Sequence, residues 1–146
     1  MLHSPADILN HYLVEQGLFT DPVSSSLWPL FVSDLPDDNH IEDDTACVYD
    51  TTGIKDGRIM RGGDTVQHFG IMVMVRSVEY SDGFLKAESV RVALDEIDHV
   101  SVTIDVAEYS IDNASSAGPV IALGNEEGTG RRKLFTVNAL LTISEV

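Results

Sequence analysis

The sequence predicts an α+β domain: a mixed, mostly antiparallel sheet of about five strands with two helices packed on one face. Three observations carry that expectation. Two segments repeat apolar residues at three- and four-residue spacing, as amphipathic helices do. Several short segments alternate or run apolar over strand lengths, and the two kinds are interspersed without a regular βαβ alternation. With 146 residues, 43% of them hydrophobic, the chain has the length of one domain, 1–146, able to bury about two-thirds of its unfolded surface.

The first helix is marked by Ser4 as N-cap, Pro5 at the first helical position, Asp7 in the first turn and Gly17 beyond its end. Ile8, Leu9, Tyr12 and Leu13 form its apolar stripe. Trp28 to Val32 is an apolar segment interrupted by Pro29, which suits an edge strand or an irregular lead-in. Residues 33–45 read as a flexible acidic loop. Cys47 to Thr51 is a short strand, and the glycine-rich, charged, aperiodic stretch 52–64 reads as a second flexible loop.

From Gln67 to Arg76 both faces are apolar, which is the pattern of a central strand. The second helix is expected to begin at Ser81 or Asp82, with Tyr80 stapled on Leu85 and with Phe84, Ala87, Val90, Leu94 and Ile97 as its core face. His99 to Tyr109 alternates as one strand. Asp112 to Gly118 is a polar connection, Val120 to Leu123 a short strand, and Phe135 to Ile143 the last, paired antiparallel with its predecessor through the glycine-containing loop 124–130.

Charge is the strongest compositional signal. The formal net charge is −15, and residues 1–50 hold ten carboxylates with no Lys or Arg. The stretch between Arg91 and Arg131 is also purely acidic. Such a surface repels phosphates and anionic lipid, which argues against DNA, RNA or membrane binding. The longest apolar run, Phe69 to Val75, is too short to span a bilayer. The first residues lack the cationic and apolar regions of a secretory signal, and the lone Cys47 sits in an apolar stretch as a buried, inert thiol. These features point to a cytoplasmic setting.

Chemistry-bearing motifs are sparse. There is no phosphate loop, zinc-spaced Cys/His set or nucleophile elbow. The run Asp37-Asp38-Asn39-His40-Ile41-Glu42-Asp43-Asp44 offers metal ligands, but calcium loops alternate their ligands around a glycine that this run lacks. A solvated acidic loop is the better reading, and a metal-dependent hydrolase built on it the weaker one. The five histidines share no ligand spacing. We therefore expect no cofactor, no metal and no catalysis. Positive charge gathers at Lys55, Arg58 and Arg61 and at Arg131, Arg132 and Lys133, which are the candidate contacts to other subunits.

Three segments together resemble the tail-terminator (minor tail or neck) proteins of long-tailed bacteriophages. They are Ala46-Cys47-Val48-Tyr49-Asp50-Thr51-Thr52-Gly53; Gly70-Ile71-Met72-Val73-Met74-Val75-Arg76-Ser77 with Tyr80 and the helix after it; and Gly118-Pro119-Val120-Ile121-Ala122-Leu123-Gly124 running on to Arg131 through Asn138. Arg76 and Tyr80 match recurrent positions of that family, and residues 18–45 match least. The resemblance implies a virion protein, made in the host cytoplasm, that forms a ring of commonly six copies on the last ring of the tail tube. Its partners would be itself, the tube protein and a head-completion or connector protein, with genome DNA passing through unbound. The acidity also fits a different class, an immunity- or antitoxin-like module that masks a basic partner.

Overall fold

A computed structural model describes residues 2–23, 27–36, 43–55, 67–125 and 131–145. The elements in chain order are α1 (Pro5–Glu15), β1 (Leu30–Val32), β2 (Thr45–Lys55), β3 (Gln67–Ser77), α2 (Tyr80–Asp95), β4 (Asp98–Ile104), β5 (Ala107–Ser116), β6 (Ile121–Asn125) and β7 (Lys133–Glu145). The α+β class stands, with seven strands where the sequence suggested about five. Every pairing is antiparallel except that of β1 with β2. The sheet runs β1-β2-β3-β7-β5-β4, and β6 lies beside β7 off that path.

The two strands beyond five are β1, within the segment read as an edge strand or irregular lead-in, and the one added by a missed turn. His99 to Tyr109 is not one strand: β4 ends at Ile104, which pairs with Ala107 across the two-residue turn Asp105-Val106. The turn shifts the buried positions from even (Val102, Ile104) to odd (Tyr109, Ile111), but Val106, 98% exposed in the turn, carries the apolar sequence pattern one step further and hides the break. Asp105 takes the left-handed conformation the turn needs, at φ 54°, without the glycine that would have announced it. Asp112 to Ser116, expected as a connection, continues β5 along β7 around a bulge at Asp112. Ala117 N then donates to Asn138 O at 2.7 Å, and Gly118 with Pro119 bends the chain into β6 on the same flank of β7.

The expected loop 52–64 also begins too early, because β2 extends through Lys55 with a bulge between Thr51 and Ile54. Two glycines make that extension possible. A Cβ on Gly53 would stand 2.1 Å from His68 O, and one on Gly70 would stand 2.4 Å from Thr52 O. The strands approach closely there because neither residue has a side chain. The rest of that loop lies outside the described residues.

α1 follows its sequence signals. Ser4 Oγ accepts from Asp7 N at 3.2 Å, and beyond the helix Gly17, at φ 78°, lets Gly17 N reach Val14 O and Leu18 N reach Leu13 O. α2 begins earlier than expected, with Glu79 as its N-cap and without a side-chain cap. Tyr80 stacks on Phe84 and meets the edge of Phe135 instead of packing on Leu85, which is exposed. Gly83, not Phe84, faces the sheet at the closest point: a Cβ there would lie 2.5 Å from the Phe135 ring.

One core joins Ile8, Leu9 and Leu13 of α1, Ala87, Val90 and Leu94 of α2, and alternate strand residues such as Val48, Val73, Val75, Phe135, Val137 and Leu141. The opposite face of the central strands carries Cys47, Met74 and Thr136 in register with one another, Tyr49 opposite Met72, and Arg76 between Thr45 and Leu134 across β2, β3 and β7.

Candidate functional site

That opposite face is where the predicted basic residues meet the acidic stretch. Arg76 is completely buried at the end of β3, with Nη1 donating to Pro36 O at 2.6 Å and Nε to Asp43 O at 3.3 Å. One guanidinium thus grips the backbone on both sides of 37–42, the heart of the acidic run, which itself lies outside the described residues. A buried arginine requires such acceptors, since its charge would otherwise be desolvated without compensation.

Arg131 and Arg132 close the same site from the start of the last strand. Arg131 Nη1 meets Asp43 Oδ2 and Arg132 Nε meets Asp43 Oδ1, each at 2.8 Å. Hydrogen bonding to Arg131, followed by that to Arg132, holds the Asp43 carboxyl below its ordinary value against the opposing effect of burial. Next to it Ser77 Oγ donates to Asp44 Oδ1 at 2.8 Å. Before the acidic run, the backbone of Ser33 to Leu35 lies against Cys47 and Tyr49; burial raises the thiol and pushes the Tyr49 phenol up to about 12. The acidic stretch is therefore tied down at both ends.

The predicted cations separate by environment. Arg131 is 57% exposed whereas Arg132 is 4% exposed, so the two are not an equivalent surface pair. Lys133 turns away from them, and its Nζ donates to Val78 O at 3.2 Å. Lys55 ends β2, while Arg58 and Arg61 lie outside the described residues. Sequence reasoning missed Arg76 as the centre of this arrangement. The available signal was a lone cation closing an otherwise apolar central strand.

A cleft of about 340 Å³ is lined by Pro5, Asp50, Ile54, His68 and Gly70 among others. Asp50 Oδ1 there accepts from Ala6 N, and His68 Nδ1 pairs with Thr142 Oγ1, so the two are tied to separate structural partners. Among the described residues no three His, Cys, Asp or Glu side chains converge as metal ligands. No helix among them is long and apolar enough to cross a membrane.

A family described as bacteriophage tail terminator protein matches residues 12–140, nearly the whole of this fold. The chain belongs to that family. It is accordingly a structural protein of the phage tail, with a place in virus assembly and in contacts with other tail and head proteins. The family match spans the clamp from Pro36 through Arg76 to Arg132, and with it all of α2 and the sheet's central strands. No curated protein matches the chain.

Proposed function

We propose that this tail-terminator chain assembles as a ring, six-fold in the family pattern it resembles, on the end of the tail tube. There it stops tube growth and offers the joining surface for the head-completion or connector protein. The observation that carries this reading is the family match over 12–140. The charge of −15 supports a conduit through which DNA passes without adhering. Catalysis and cofactors have no part in this function.

Of the six predicted contact residues, Arg131 is best placed to reach another protein, being exposed and using one Nη on Asp43. A guanidinium has five N–H donors, so one such bond leaves capacity for a partner's carboxylate. Arg132 acts on an interface through the strap it holds. Lys55, Arg58, Arg61 and Lys133 complete the basic set.

The test is to add the purified chain to polymerising tail tubes and score tube length and tube ends by electron microscopy. Uniform, ring-capped tubes are the expected result. Tubes that grow unchecked and uncapped overturn the reading, and tight one-to-one binding of a single cationic protein would favour the masking-module class.

A further inference from the structure

The sheet ends on three outer strands, and one of them is already covered. Beside β1, Thr20 N donates to Trp28 O and Leu30 N donates to Thr20 O, both at 3.0 Å, so the chain's own backbone occupies that flank. Among the described residues β4 pairs only with β5, and β6 only with β7. Each therefore presents a row of backbone N–H and C=O groups outward, a ready template for another strand.

β6 is the less protected of the two. All five of its residues are exposed, none is charged, and Ile121 and Leu123 stand 49% and 52% exposed. Proteins ordinarily blunt such an edge with charge, proline or a covering element. Beside it the stacked rings of Tyr80 and Phe84 rest on Phe135, whose backbone pairs with Ala122, and extend the apolar rim. Lys133, paired with Asn125, and the exposed Arg131 make the far end of β6 basic. β4 has the complementary character: exposed Asp98 opens it, exposed Asp105 follows it, and Ser101 and Thr103 point outward between them.

We propose that β6 of one copy adds to the outer edge of β4 in the next copy, so that a continuous intersubunit sheet builds the ring. The inference rests on the ring reading and assigns its two contact surfaces. A ring needs two different, mutually complementary patches on each subunit, and a basic apolar edge facing an acidic polar edge meets that requirement. Pairing β6 with itself would instead close a two-fold dimer and leave every β4 edge open. Backbone pairing supplies adhesion in this scheme, while the charges set direction and suppress the wrong pairing.

The test uses the full chain in two variants. Ile121→Asp/Leu123→Asp blunts β6 and gives it the sign of β4, and Asp98→Lys/Ser101→Lys gives β4 the sign of the β6 end. All four side chains are exposed, so melting temperatures near that of the wild type are expected. Rings are scored by native mass spectrometry in solution and by electron microscopy on added tail tubes. Each variant alone should associate more than about tenfold more weakly than wild type. Mixed together, the two variants should associate more strongly than either alone, because one intact β6 then meets one intact β4 and the two altered edges carry opposite charges. Rings from either variant at wild-type concentration overturn the proposal. So do β6 variants that form rings yet fail to cap tubes, which would assign β6 to the tube protein. If β6 variants prove unfolded, the β4 variant decides by itself. Wild type that forms no ring under either condition would fail the ring reading itself, a result distinct from normal rings in the variants.

Discussion

Asp43 is the residue on which the strap depends, and its ionisation gives a directional prediction. Its carboxyl is held below the ordinary 3.8 by Arg131 first and Arg132 second, with burial opposing. A group whose folded pKa is depressed adds stability above its unfolded pKa, and that contribution is lost as pH falls through the folded value. Asp43→Asn should therefore melt below wild type at neutral pH, with the gap holding to about pH 5 and closing only below about pH 4. Loss of a charge-assisted bond to the nearly buried Arg132 sets the size at about 1.5 kcal/mol, a shift of about 3–6 °C in a chain of this length. Thermal melts across that pH range check it, and a gap independent of pH would mean that shape and not charge holds the strap. Arg132→Glu should cost more than Arg131→Glu, because the first buries a carboxylate against Asp43 while the second stays solvated. Comparative melting of those two single variants decides that ordering. The sequence showed both arginines and the acidic run, but not that one aspartate joins them, since their contact spans 88 and 89 residues.

At the level of elements, close approach outweighs propensity. Gly83 lies inside α2, where alanine would ordinarily favour the helix by about 1 kcal/mol. Its Cβ, however, would come within 2.5 Å of the buried Phe135 ring and 3.1 Å of Ser77 Cβ, and overpacking of this kind costs about 1–3 kcal/mol. Gly83→Ala should thus destabilise on balance, measured by urea unfolding. A stabilised variant would show that the Phe135 ring yields. Gly70→Ala meets backbone, Thr52 O at 2.4 Å, which cannot yield as a side chain can, so it should destabilise more and loosen the β2–β3 pairing. Hydrogen exchange at Tyr49 to Thr51 reads that loosening directly. Sequence signals located α1 well because its cap, first-turn proline and terminal glycine are all local. They misplaced the start of α2, where the capping position is Glu79 and the ordering contact is Tyr80 against Phe135, far away in the chain.

Over the whole molecule, the excess of carboxylates makes association with nucleic acid unfavourable, because phosphate contact requires cations that release counterions. Two of the basic residues nearest one another, Arg131 and Arg132, are moreover engaged with Asp43. Titration with duplex DNA at physiological salt should show no mobility shift up to about 100 µM protein, the weak end of the usual range of nonspecific dissociation constants. A salt-sensitive complex at lower concentration would contradict the conduit reading. What the sequence by itself determined is the class of protein: an α+β fold, strongly acidic, with apolar periodicities over most of its elements and three segments carrying a tail-terminator likeness that the family match then established. Those properties are local or additive, so they survive without coordinates. Tertiary structure alone decided that His99 to Tyr109 turns back on itself, that β5 and β6 share one flank of β7, and that β4 and β6 have open edges among the described residues. It also decided that Arg76, Arg131 and Arg132 converge on the ends of one acidic strap. The reason is physical: strand pairing and ion pairing join residues far apart in the chain, and an exposed apolar residue such as Val106 carries the period-two pattern into a tight turn and hides it.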